Sequence, residues 1–200
     1  MLISKKLSYP TLLFIGLGLV FPFLTYFNIP LLDGALVTAL ENTQALLFLA
    51  AAIFSYFFIR PRQYATGKKQ FWIWVIFWWI LLFGRSISWG RDYFPDVAHD
   101  YFRIISILLI APVLLMLLSR KLRAEIIVKL KTTQLPIFSI VLALLAVIIA
   151  DAIEHNRAIS IFFLYDVAYK DFLEEMYEFA LIWGLFEATY LLMKQEEADT

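Results

Sequence analysis

Six apolar segments recur along the 200-residue chain, at about 11–27, 35–59, 71–88, 101–118, 136–155 and 171–193. No other feature restricts the fold as tightly. A segment of about 20 apolar residues matches the hydrocarbon thickness of a bilayer. Inside that layer every backbone N–H and C=O must be satisfied within the protein, which leaves helices or a closed barrel. Continuous apolar runs, rather than alternating residues, select helices. The expected fold is all-α, a polytopic bundle of six transmembrane helices forming a single transmembrane domain over residues 1–200. With 62% hydrophobic residues, the composition belongs to the same class.

Turn chemistry separates the segments. Pro22 marks a kink in the first span, Asp33 is placed to cap the second helix, and Arg60-Pro61-Arg62 ends it. Pro112 predicts a kink in the fourth span. Between spans four and five, Leu122, Ile126, Ile127 and Leu130 recur at helical spacing among Arg120, Lys121, Arg123, Lys129 and Lys131. Two readings fit: an amphipathic helix on an anionic membrane surface, or a plain extension of span four. Trp72, Trp74, Trp78 and Trp79 fill span three and read as lipid-facing anchors and packing, with Trp72 and Trp89 at belt positions.

Charge is polarised although the net charge is zero. With six spans, twelve Lys and Arg fall on the side of the termini and five on the other, whereas the acids divide four to twelve in the opposite sense. The positive-inside rule therefore places both termini in the cytoplasm, and the expected location is a bacterial inner membrane. Membrane lipids are the expected partners, with a protein partner or homo-oligomer left open; no nucleic acid is expected. With no cysteine, disulfides and thiolate chemistry are excluded.

The outer ends of the spans collect polar groups. Asp171, Glu174, Glu175 and Glu178 lead into span six; Asp151, Glu154 and His155 close span five; His99, Asp100 and Arg103 open span four; Arg85, Ser86 and Ser88 end span three; Glu41, Asn42 and Gln44 lie in span two. Asp151 and His155 are four residues apart and share a helix face, as do Asp171, Glu175 and Glu178. Asp151, His155, Glu175 and Glu178 form the expected ligand set for Zn²⁺, Mn²⁺ or Fe²⁺, with Mg²⁺ or Ca²⁺ suited to a purely carboxylate face. His99 and Glu178 are the expected catalytic groups of a hydrolase acting on a lipid or membrane-borne substrate, and Arg85 and Arg103 the expected anion-holding pair. Glu41 and Glu187 are the intramembrane acids, and Glu187 is expected to bond a Tyr, Ser or Thr if it faces the bundle, or to snorkel if it lies near the inner headgroups. Two non-enzymatic readings stand beside this one. The acids also suit the positive end of a helix dipole with arginines as structural partners, and an intramembrane carboxylate also suits an ion or proton pathway or an accessory subunit of an envelope complex.

Glu41-Asn42-x-Gln44-Ala45-Leu46-Leu47-Phe48 followed by Ile87-Ser88-Trp89-Gly90 resembles a group of small bacterial multi-span inner-membrane proteins whose function is not assigned. The resemblance implies a membrane location and later His and Glu-Glu segments, which Asp151 to His155 and Glu174-Glu175 match. It departs at Arg85 and Ser86, where that group carries acids. The Glu-Glu-x-x-x-Arg motif of CAAX-type intramembrane proteases is not met, because Glu174-Glu175 is followed at the arginine position by Phe179. Alkaline-ceramidase-like hydrolases use three histidines, and this chain has two.

Overall fold

Apolar runs punctuated by proline, glycine and asparagine fold into seven α-helices among the described residues: α1 (Tyr9–Val20), α2 (Ala35–Ile59), α3 (Thr66–Ser86), α4 (His99–Met116), α5 (Arg120–Thr132), α6 (Ile137–Glu154) and α7 (Lys170–Ala198). Two three-residue strands, β1 (Leu2–Ser4) and β2 (Gln134–Pro136), pair with each other. The computed structural model describes residues 2–4 and 6–198, and all but the Asp92 side chain among them.

Among the described residues, four helical stretches are long and apolar enough to cross a membrane: Tyr9–Phe27, Leu32–Gln63, His99–Met116 and Ile137–Glu154. On length and composition they account for four of the six expected spans. The two that fall short are α3 and α7. α3 opens on Lys68 and Lys69 and ends on Arg85, so its cations crowd an apolar stretch already diluted by tryptophan. α7 carries Asp171, Glu174, Glu175 and Glu178 in its first turns and Glu196 and Glu197 in its last, and Glu187 interrupts the apolar stretch 179–193 between them.

The first span changes from α to 3-10 geometry at Phe21, where Pro22 occupies the first turn, and stops at Asn28 in the left-handed conformation (φ 47°). α6 ends in the same way, with Asn156 at φ 49° just past its C-cap. Asparagine tolerates this region better than other non-glycine residues. Asp33 is not placed as a helix cap expects to be. It lies in a 3-10 turn at φ 51°, ψ 36°, whereas a capping residue takes extended backbone. α5 is a helix of its own rather than an extension of α4: α4 closes at Leu117, and the Ser119 hydroxyl accepts from the Leu122 N–H to cap α5.

The chain divides into two compact units. One comprises residues 1–2, 42–135 and 192–200; the other comprises 3–41 and 136–191. In the first, α3 packs on α4 and α5. Its interior holds Phe48 against Trp79, and Trp74 donates its indole N–H to the Val113 carbonyl at 2.9 Å. Trp72 is buried, not a lipid-facing anchor. α2 contributes Ala45, Ala51, Ala52 and Ser55 to this interior, small residues that allow close approach of helix backbones.

In the second unit α1 packs on α6. α7 runs antiparallel to α1, as two contacts between them and one just before α7 show. The Tyr169 hydroxyl donates to the Ile29 carbonyl at 3.2 Å, Tyr177 to the Gly18 carbonyl at 2.8 Å, and Thr11 to Glu187. Phe21, Ile153, Phe172, Leu173 and Tyr177 form the core at the far end. α6 and α7 touch backbone to backbone at Gly184, where a Cβ would sit 2.7 Å from the Ser139 carbonyl oxygen and 2.8 Å from the Ala143 nitrogen.

Candidate functional site

The end of α6 carries the strongest cluster of ligand-type side chains among the described residues. The helix places Asp151, Glu154 and His155 on adjoining positions of its last turn, and one ligand atom from each lies within 4.8 Å of the others. His155 Nδ1 is 3.4 Å from Asp151 Oδ1 and 3.6 Å from Glu154 Oε2. It also lies 3.1 Å from the Asp151 carbonyl, and the His155 backbone N–H bonds that same oxygen, so the residue caps α6 as well. Arg157 holds Asp151 from the loop, with Nε 2.8 Å from Oδ2 and Nη2 3.0 Å from Oδ1.

Two carboxylates and an imidazole at these separations fit one divalent ion. Ligand bonds of about 2.0–2.2 Å for Zn²⁺ put neighbouring donors roughly 3–4 Å apart, close to the spacing seen. The cluster is solvent-facing, with His155 and Glu154 exposed, which leaves coordination positions for water. Arg157 competes for Asp151, so an ion would share that carboxylate or displace the guanidinium. Glu174 lies within electrostatic range of Glu154, Glu178 and Asp171 at this end of the second unit.

Of the residues expected from sequence, Asp151 and His155 meet, and Glu154, read as lying beside their face, completes the group in place of Glu175 and Glu178. Glu175 is buried on α7 and Glu178 is half-buried on the same helix. His99 is exposed at the first position of α4. Arg103 sits 3.8 Å from Asp100 with both side chains largely in solvent, a pair worth little. Arg85 is exposed in the last turn of α3, just before Ser88, Trp89 and Gly90 take three successive left-handed conformations. Glu41 is exposed two turns into α2, next to Asn42, which accepts from the Tyr93 hydroxyl.

Glu187 behaves as its position on an apolar helix demands. It is buried, and its Oε2 accepts from Thr11 Oγ1 and, at 2.7 Å, from Ser139 Oγ. Thr11 in turn receives the Trp183 indole N–H at 3.4 Å. Thr11 and Ser139 are each the third residue of their helix, α1 and α6. This carboxylate therefore lies beside the first turns of both helices, near the positive ends of their dipoles.

Another buried carboxylate, Glu196, was not foreseen. Glu196, in the last turn of α7, is 1% exposed. Lys68 meets its Oε1 at 2.7 Å, Lys129 meets Oε2, and the Trp72 indole N–H donates to Oε2 at 3.3 Å. Lys129 also lies about 6 Å from the Phe71 and Trp72 ring centres, a cation–π distance. A cavity of about 420 Å³ opens beside this cluster, lined by Glu125, Thr132, Gln134 and Gln195. No local signal could have found it, because Glu196 meets partners 67 to 128 positions away in the chain.

Comparison with known proteins returns no match: no family model fits the chain, and neither a curated protein nor a solved structure matches it. The likeness to small bacterial membrane proteins drawn from Glu41 to Phe48 and Ile87 to Gly90 rests on those segments alone.

Proposed function

We propose that this protein is a six-span membrane protein that binds one divalent cation at the Asp151–Glu154–His155 corner. The observation that carries the cation reading is the approach of three ligand atoms to within 4.8 Å of one another at the end of an apolar helix. The open positions admit water, so hydrolysis of a lipid or membrane-borne substrate is the reaction such an ion supports.

Parity supports six crossings. Thr11 and Ser139, both near the start of their helices, reach the same oxygen of Glu187, so α1 and α6 begin at one level and run in parallel. If α1, α2 and α4 cross, three crossings would start α6 on the opposite side from α1. Counting α3 as a fourth restores the observed direction. α7 then returns from the Tyr169 end to the Glu187 end, which makes six and leaves both termini on one side. The excess of Lys and Arg on that side favours a cytoplasmic assignment and an inner-membrane location. Read this way, the cation corner lies at the outer face.

The test is metal binding by detergent-purified protein, followed by Mn²⁺ electron paramagnetic resonance and by metal content after dialysis. One ion per chain is expected, with affinity lowered about tenfold or more in His155→Ala and Glu154→Gln. Equal binding by the wild type and both variants would sink the assignment.

A proton or ion pathway has one observation in its favour, the buried carboxylate of Glu187 among hydroxyls. That reading expects Glu187→Gln to abolish a pH-driven flux in liposomes while leaving Mn²⁺ binding intact.

A further inference from the structure

α5 joins two helices that are each long and apolar enough to cross a membrane, through connectors of three and four residues (117–119 and 133–136). Those connectors reach at most about 10 Å and 14 Å. The 13 residues of α5 extend only about 20 Å, too short to cross the ~30 Å hydrocarbon layer. The helix is therefore held at both ends within a few residues of one membrane face. Its burial pattern fixes which side it turns outward. Leu122, Glu125, Ile126 and Lys129 face the protein, on one stripe of the helix. The opposite face is exposed and presents Arg120, Lys121, Arg123 and Lys131 together with Ile127 and Leu130. The only acid of the helix, Glu125, is on the inward stripe, so the outward face is wholly cationic and partly apolar.

We propose that this outward face docks on anionic phospholipid headgroups, its lysines and arginines pairing with phosphate while Ile127 and Leu130 enter the headgroup–acyl boundary. The inference rests on the membrane reading above and not on the cation corner. Charge complementarity selects the occupant: a zwitterionic surface offers four cations no net attraction, whereas each cation near an anionic surface shifts docking about fivefold.

The chain has no cysteine, so Ile127→Cys accepts a single nitroxide. The labelled protein is reconstituted in nanodiscs of phosphatidylcholine alone and of phosphatidylcholine and phosphatidylglycerol in equal parts. The expected result is a nitroxide shielded from an aqueous nickel chelate and exposed to dissolved oxygen in the anionic discs, and the reverse in the neutral ones. Raising salt to about 1 M, where the Debye length falls to about 3 Å, should release it. Arg120→Gln, Arg123→Gln and Lys131→Gln together should remove most of the lipid-dependent difference. Equal accessibility in both lipids, or shielding that ignores lipid charge and salt and follows protein concentration, would overturn the proposal. Failure of the protein to remain with either disc would overturn the membrane reading instead.

Discussion

Glu187 and Glu196 lie on the same helix, nine positions apart, and both are buried. Their surroundings are opposite in kind. Glu187 is met by two hydroxyls and the N-terminal ends of α1 and α6. Glu196 is met by two ammonium groups and an indole N–H. The contrast shows that burial alone does not decide how a carboxylate is compensated; the medium beside it does. Glu187 sits among apolar helices, where a full counter-charge would itself need desolvation and neutral donors with fixed dipoles suffice. Glu196 sits near a helix end with polar cavity beside it, where lysines reach in while keeping access to water; Lys68 retains 40% exposure.

The sharpest test exchanges a charge for an amide at each position. Glu196→Gln leaves two lysines around a neutral group and should cost about 3 kcal/mol, the lower end of what breaking a buried ion pair costs because Lys68 is partly solvated. Glu187→Gln keeps an acceptor for Thr11 and Ser139 and should cost about 1 kcal/mol. Thermal melts in detergent measure both, and equal losses would remove the distinction. Lys129→Met in the Glu196→Gln background should recover part of the loss, since one stranded cation is gone.

Gly184→Leu comes next. A side chain there must displace the Ser139 carbonyl and the Ala143 amide, both backbone, so α6 and α7 have to part, at about 1–3 kcal/mol. The same shift would loosen the Ser139 bond to Glu187, so Gly184→Leu and Ser139→Ala should combine less than additively. Thr11→Val, which removes one donor from a buried carboxylate, should cost about 1.5–3 kcal/mol in the same melts. The smallest effect is expected at the corner. Asp151→Asn and His155→Ala are solvent-facing changes and should move metal-free stability by no more than about 0.5 kcal/mol while weakening Mn²⁺ binding. A large stability loss without metal would mean that Arg157 and the His155 cap make the corner structural.

Asp151 and His155 were legible together because residues four apart on a helix share a face. Glu154 was legible as their neighbour but not as the third ligand atom, since that depends on its rotamer. Glu187 was legible as an acid that bonds a hydroxyl if it faces the bundle, although neither that orientation nor the identity of the hydroxyls was. Asp33 was misread as a cap because residue type ranks capping tendency but the backbone at that turn is left-handed. Trp72 was misread as an anchor, and Glu196 was not singled out at all. Both errors have one cause, because each residue is the other's partner across 124 positions.

The amino-acid sequence by itself determined that the chain is helical and that several helices suit a bilayer. Those properties follow from local apolar runs and from the need of each backbone to satisfy its own hydrogen bonds in hydrocarbon. The tertiary structure alone decided which acids are buried, which donors meet them, and which face of α5 turns outward. Those outcomes are set by contacts between helices, whose energies depend on distance in space and not on separation along the chain.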